Sequence, residues 1–195
     1  LQLIQSHTRL PYNVNFFCHT PAAADSIRDA AWHAALRPYY EQFGLDMAAQ
    51  PAGPSRAPFS AAVADLLEEF RPPVVSFHFG LPDAALMMRI KSWGSKVLST
   101  ATTVDEARWL EAHGADAIIA QGLEAGGHRG MFRTDDLTTQ SGTFTLLPQI
   151  VQAVSLPVIA AGGIADAAGI AAAMALGAAG VQVGTAYLLC PEATT

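Results

Sequence analysis

Ala117-Ile118-Ile119-Ala120-Gln121-Gly122-Leu123-Glu124-Ala125-Gly126-Gly127-His128-Arg129-Gly130 passes from a short apolar run into a turn that carries four glycines and one imidazole. Apolar residues without polar alternation read as a strand buried on both faces, the kind found in a parallel sheet covered by helices. The glycines let the backbone approach a planar ligand closely, and His128 sets one titratable side chain in the same turn. The pattern recurs downstream. Pro157-Val158-Ile159-Ala160-Ala161-Gly162-Gly163 is a second apolar run ending in paired glycines, and Val181-Gln182-Val183-Gly184-Thr185 is a third, ending in small and polar residues. Three such strand ends point to one shared ligand site.

Outward from this stretch, helix-like and strand-like segments alternate, with Gly and Pro as punctuation. Strands are predicted at Val14 to Cys18, Pro73 to Phe79, Lys96 to Thr100, Asp116 to Ala120, Val158 to Ala161 and Val181 to Val183. Helices are predicted at Pro21 to Tyr40, opened by Thr20-Pro21, and at Phe59 to Phe70, Ala84 to Trp93, Thr145 to Val154 and Ala165 to Leu176. A further helix ends at Gly114 and starts at Thr103-Val104-Asp105-Glu106, which has capping-box spacing. Residues 44–58, rich in Pro, Gly and Ala, read as a long surface excursion. The alternation argues for an α/β fold with a parallel sheet. A closed (β/α)8 barrel needs eight strands and typically about 250 residues, so two strands are missing. An open doubly wound sheet is the physical alternative, but its GxGxxG fingerprint is absent from the first βα turn.

Bulk properties exclude several classes. The chain has 195 residues, is 51% hydrophobic and fits a single domain, 1–195. A formal charge of -6 offers no electrostatic footprint for nucleic acid or an anionic membrane. Cys18 and Cys190 lie far apart without metal-ligand spacing, so a reduced, cytoplasmic protein is expected. The apolar runs are shorter than the roughly 18 residues of a membrane span. The chain starts with Leu1 rather than Met, and is expected to begin partway through a longer protein.

Gln121-Gly122-Leu123-Glu124-Ala125-Gly126-Gly127-His128-Arg129-Gly130, Ala160-Ala161-Gly162-Gly163-Ile164 and Gln182-Val183-Gly184-Thr185 together resemble the nitronate monooxygenase (2-nitropropane dioxygenase) family. Asn13-Val14-Asn15-Phe16-Phe17 is similar to that family's third strand, Ser76-Phe77-His78-Phe79-Gly80 to its fourth and Ser99-Thr100-Ala101-Thr102-Thr103 to its fifth. The resemblance implies a TIM-type barrel of which strands three to eight are present. It also implies FMN bound without covalent attachment, and oxidation of alkyl nitronates or nitroalkanes with O2 to carbonyl compounds and nitrite. The family's first strand, glycine-rich second strand and C-terminal region have no counterpart here, so truncation at both ends is expected.

Carried over by position, the resemblance implies that Asn15, Gln121, Gly126, Gly163 and the run Gln182, Val183, Gly184 and Thr185 contact FMN, with Gly127 and Gly162 beside them. The residue types agree. Loops after the last two barrel strands commonly hold phosphate on free N–H groups. A helix starting near Ala165 would turn its N-terminus toward that phosphate. Asn15 and Gln121 are amides suited to a flavin ring edge.

His128 is the candidate catalytic residue. It could take the α-proton of a neutral nitroalkane or, protonated, hold an anionic nitronate. His78 is a second candidate, with a buried structural role equally open, and Arg129 is a candidate to hold the loop through Glu124 or another carboxylate. His7, His19, His33 and His113 are read as surface or structural. Trp32, Trp93 and Trp109 are expected to pack on the sheet, and Asp135-Asp136 to be solvated rather than metal-binding. An NAD(P)H-dependent FMN reductase of the quinone or enoyl-thioester type is the alternative function, and a non-catalytic barrel fragment a second. His128-Arg129-Gly130 looks more like the nitronate enzymes. Nothing in the sequence fixes an oligomeric state.

Overall fold

A computed structural model describes residues 1–21, 23–48 and 57–193. The chain divides into two compact units, one of Leu1–His19 with Phe59–Thr195 and one of Thr20–Pro58. The larger unit carries one sheet of six strands, β1 (Asn13–Phe17), β2 (Val74–His78), β3 (Lys96–Ala101), β4 (Ala117–Gln121), β5 (Val158–Ala161) and β6 (Gly180–Gln182), side by side in chain order. Every neighbouring pair is parallel. Between strands run α3 (Ala61–Phe70), α4 (Ala84–Ser92), α5 (Val104–Ala112), α6 (Thr143–Ala153) and α7 (Ala167–Ala175), and a short α1 (Gln2–His7) precedes β1. Six parallel strands alternating with helices form a half-barrel, the arrangement the apolar runs imply.

The core explains why those runs are strands and those periodic segments helices. Leu110 of α5 and Leu147 and Ile150 of α6 are fully buried with Ile118 of β4, while Leu67 of α3 and Ile90 of α4 are buried with Val75, Phe77 and Val97 of β2 and β3. Each such side chain contributes about 1.5–3 kcal/mol on burial. Leu81, after β2, packs against both clusters and joins them. Trp109 and Trp93 also pack on the core; Trp32 lies in the smaller unit and is 63% exposed.

Three local readings change. The helix expected to open at Thr20-Pro21 begins instead at Ser26, because the Asp25 carboxylate accepts from the N–H groups of Ile27 and Arg28 and is the stronger cap. This α2 (Ser26–Gln42) belongs to the smaller unit and runs through Pro38. Residues 49–56 of the excursion expected at 44–58 lie outside the described residues. At α5, Thr103 caps the N–H of Glu106, but the Glu106 carboxylate does not return to Thr103. One oxygen accepts from the Thr102 N–H and hydroxyl at 2.7 Å each, and the other from the N–H groups of Phe132 and Arg133 at 2.7 and 3.2 Å. Glu106 is 0% exposed, so these donors replace its water shell. No helix among the described residues is long and apolar enough to cross a membrane.

Glu106 thereby anchors the middle of the long β4–α6 loop to the start of α5. Glu106→Ala would leave four donors without their acceptor, and urea unfolding is expected to show a loss of about 3 kcal/mol or more. A loss below about 1 kcal/mol, the size of one ordinary hydrogen bond, would mean that the loop is held elsewhere.

Candidate active site

Parallel register brings the strand ends to one edge: Phe17 lies opposite His78, Gln121 opposite Ala161, and Ala161 opposite Gln182. Two adjoining cavities open there. The larger, of about 660 Å³, is bounded by the loops after β4, β5 and β6, including Gly126, Gly127, Gly162, Gly163, Gly184 and Thr185. The smaller, of about 280 Å³, is lined by Asn15, Phe17, Ser76, His78, Thr100 and His128 among others. Gln121, Gly126, Ala161 and Gln182 line both, so the two volumes form one continuous site.

The glycine turn is built by its own polar groups. Gln121 donates to the His128 carbonyl at 2.9 Å and accepts from the Gly130 N–H at 2.7 Å, closing the turn from the last residue of β4. Arg129 points inward and donates to the carbonyls of Gly122 at 2.7 Å and Leu123 at 2.9 Å. Among the described residues no carboxylate ion-pairs with it; it holds the loop through backbone oxygens instead of the expected carboxylate. Glu124 caps α6 from outside, accepting from the Thr143 N–H at 2.8 Å and lying 2.9 Å from its hydroxyl, while Gly142 at the cap position has no side chain to do so. Burial pushes the Glu124 carboxyl up, but its own N–H, the Thr143 N–H and hydroxyl, and the charge of Arg129 outweigh that and hold it below the usual carboxylate range. Gly122 is required by space: a Cβ there would lie 2.0 Å from the Thr143 hydroxyl oxygen and 2.4 Å from its Cα.

His78 and His128 differ in environment. His78 Nε2 is 3.1 Å from the His128 carbonyl, which can only accept, so Nε2 carries the proton. Nδ1 then accepts from the Thr100 hydroxyl at 3.0 Å. Burial lowers the His78 pKa, opposed by its hydrogen bond to the His128 backbone and reinforced by the charges of His128 and Arg129. With both nitrogens occupied, His78 is a neutral support for the turn. The exposed His128 imidazole instead meets two rings, Phe17 at 5.0 Å and Phe79 at 6.0 Å between centroids.

The profile of the family described as Nitronate monooxygenase matches residues 1–195. The chain belongs to the nitronate monooxygenase family. It is 48% identical over 190 residues to a curated "Nitronate monooxygenase" of Paraburkholderia phytofirmans, covering 95% of this chain and 51% of that protein. A solved nitroalkane oxidase from Streptomyces ansochromogenes superimposes with a TM-score of 0.85 at 39% identity, covering 96% of this chain and 53% of the other. FabK from Thermotoga maritima is a weaker match, with a TM-score of 0.63 at 31% identity, covering 96% of this chain and 45% of the other. The chain thus spans about half the length of the curated relatives it matches.

Against this nitronate monooxygenase background, nearly all the residues singled out from sequence line one of the two cavities; Val183 does not, since its side chain packs on the core beside Val181. Asn15 is fixed through its oxygen, which accepts from the Ser76 hydroxyl at 2.9 Å. The helix expected near Ala165 starts at Ala167, and its cap Asp166 already accepts from the Gly169 N–H. The free donors are instead loop groups. Among the described residues, the N–H groups of Gly163, Ile164, Gly184 and Thr185 donate to no protein acceptor. Asp136 caps a turn through Thr138, and among the described residues no His, Cys, Asp or Glu cluster could hold a metal. Phe17, Phe79, Ser76 and Thr100 were not singled out. Ser76 and Thr100 alternate with core residues on their strands, which is the signal that places them on the cavity side.

The neutral state of His78 makes stability depend on pH. An unfolded histidine protonates near pH 6.5, and the folded one resists this, so its contribution is complete above that pH and is lost as pH falls through the lowered folded value. Between about pH 7 and 5, bracketing the reference value, the melting temperature of the parent should fall more steeply than that of His78→Gln. Parallel curves would show that His78 titrates alike in both states.

Proposed function

We propose that the protein is an FMN-dependent nitronate monooxygenase that oxidises alkyl nitronates with O2 to carbonyl compounds and nitrite. The observation that carries this reading is the continuous site with unpaired backbone donors at one end and His128 at the other. The residues present fit the cofactor. Gly163, Ile164, Gly184 and Thr185 offer N–H groups to a phosphate, and a Cβ at Gly126 would fall 2.9 Å from the Thr185 hydroxyl oxygen and crowd that end. Asn15 and Gln182 offer amides to the edge of the ring system, and Gln121, whose amide already holds the turn, lines the passage between. FMN, when bound, supplies the electron-accepting ring that couples the nitronate to O2.

The chain's own residues supply proton and charge control. A neutral His128 takes the α-proton of a nitroalkane; a protonated one holds the nitronate anion in place. His78 and Gln121, both donating to the His128 carbonyl, set where that imidazole begins. Phe17 lines the cavity beside it and makes that wall apolar.

The full-length protein should be yellow on purification, absorbing near roughly 450 nm if flavin is held, and should release nitrite from ethyl- or propyl-nitronate. In His128→Ala, nitrite release should fall by about 10²–10⁴; unchanged turnover removes His128 from the mechanism. Anaerobic bleaching by NADH without nitronate turnover would replace this reading with a flavin reductase.

A further inference from the structure

Two described residues other than glycine have positive φ, Arg71 at 43° and Phe79 at 67°. Arg71 is the left-handed cap that ends α3, a common use of that conformation. Phe79 ends no helix. It follows the last residue of β2, and a bulky side chain in this region is strained relative to ordinary backbone. Such a conformation persists only where the surroundings enforce it. Here the fully buried Ser99 hydroxyl donates to the Gly80 carbonyl at 2.7 Å and lies 3.2 Å from the Phe77 carbonyl, pinning the chain on both sides of Phe79.

The strained backbone sets the Phe79 ring among four others. Its centroid lies 4.7 Å from His78, 5.4 Å from Phe17, 6.0 Å from His128 and 6.1 Å from His19. The His128 backbone is held by two donors to its carbonyl, but among the described residues neither nitrogen of its ring is hydrogen-bonded. What orients the imidazole is therefore the pair of rings beside it. Phe17 lines the smaller cavity, and Phe79 stands edge-on to both Phe17 and His128, with interplanar angles of 72° and 89°. T-shaped contacts of this kind favour particular orientations.

We propose that Phe79 is a positioning residue for His128, its left-handed backbone retained because only that conformation sets its ring against Phe17 and the imidazole at once. The proposal rests on the reading of His128 as the group that meets the nitronate. Phe79 acts through its neighbours and touches no reacting atom, so its effect belongs on turnover more than on binding. It also separates stability from function: a glycine at this position relieves the backbone while deleting the ring.

The test uses full-length protein labelled with ¹³C-histidine, comparing the parent with Phe79→Leu, Phe79→Gly and Phe79→Tyr. In the leucine and glycine variants the His128 ring-proton resonances, assigned by their loss in His128→Gln, should move as the ring current of Phe79 and the orientation of the imidazole change together. With nitronate, kcat should fall roughly ten- to a hundred-fold, the scale of a small misplacement of a reacting group, with a smaller change in KM. Phe79→Tyr should keep both resonances and kcat, and Phe79→Gly should melt no lower than Phe79→Leu. Parental kcat in the folded leucine variant, or His128 resonances unmoved in both ringless variants, overturns the proposal. If the parent itself releases no nitrite, the proposed activity falls, and the resonances alone then decide the role of Phe79.

Discussion

There is no room for a side chain at Gly122. The loop leaving β4 crosses the first residue of α6 so closely that a Cβ would meet the Thr143 backbone. That approach lets Glu124 reach the Thr143 N–H and cap α6 from a different element. It also places the Thr143 hydroxyl 2.8 Å from the Gly162 carbonyl, where a Cβ on Gly162 would in turn collide with the hydroxyl and with the Ala125 N–H. The turn after β4, the start of α6 and the turn after β5 are thus one packed unit, and small residues at 122 and 162 are the condition for it. A glycine-rich segment that looks flexible in sequence is made rigid by what its glycines admit.

Given that unit, the geometry of the site follows from few groups. Arg129 is consumed by carbonyls inside the loop, and Gln121 by the two ends of the His128 turn. In sequence Gln121 reads as a cofactor contact and Arg129 as a holder of the loop; both bond the backbone here, and Gln121 also lines both cavities. The consequence for function is an imidazole whose Cα position is fixed by two donors to its carbonyl, while its ring is left without a hydrogen-bonding partner among the described residues. Orientation then passes to the aromatic contacts of Phe17 and Phe79.

Periodicity and punctuation made most of the fold legible. Each predicted strand in the larger unit lies within about two residues of the observed one, the margin by which such boundaries differ anyway, because the strands carry apolar runs or alternate apolar with small polar residues, and Gly94, Gly114 and Gly177 follow three of the helices between them. The failures have physical causes. At Thr20-Pro21 a proline signal was outweighed by the Asp25 carboxylate five residues on. At Glu106 the capping-box spacing was present, but the carboxylate found four donors in the following loop and at Thr102, a tertiary choice no local pattern contains. Phe17 and Phe79 resemble core strand residues, and only the positive φ of Phe79 and the convergence of β1, β2 and the β4 turn show them facing His128. The glycines and His128 were readable because their chemistry is local; the aromatic support was not, because it exists only once distant strand ends meet.

The electrostatic character of the site follows from the same economy of charged groups. The chain is acidic overall, among the described residues neither cavity is lined by Lys or Arg, and the guanidinium of Arg129 is engaged by carbonyls. Burial lowers the Arg129 pKa from its usual value, while Glu124 raises it, as expected for a cation placed within the turn and not at its surface. An anion entering the larger cavity would therefore meet backbone dipoles and no cationic side chain, with the Glu124 carboxylate on the lining turned to the Thr143 N–H and hydroxyl. N–H groups left unpaired at two successive strand ends are donors of the kind a phosphate accepts from, and they present no attraction to anions in general of the kind a lysine cluster would. The glycines at 163 and 184 leave those N–H groups uncovered by side chains of their own. Selectivity in such a site comes from shape, and shape here goes back to the close crossing at Gly122 that locks the first of these turns to the second.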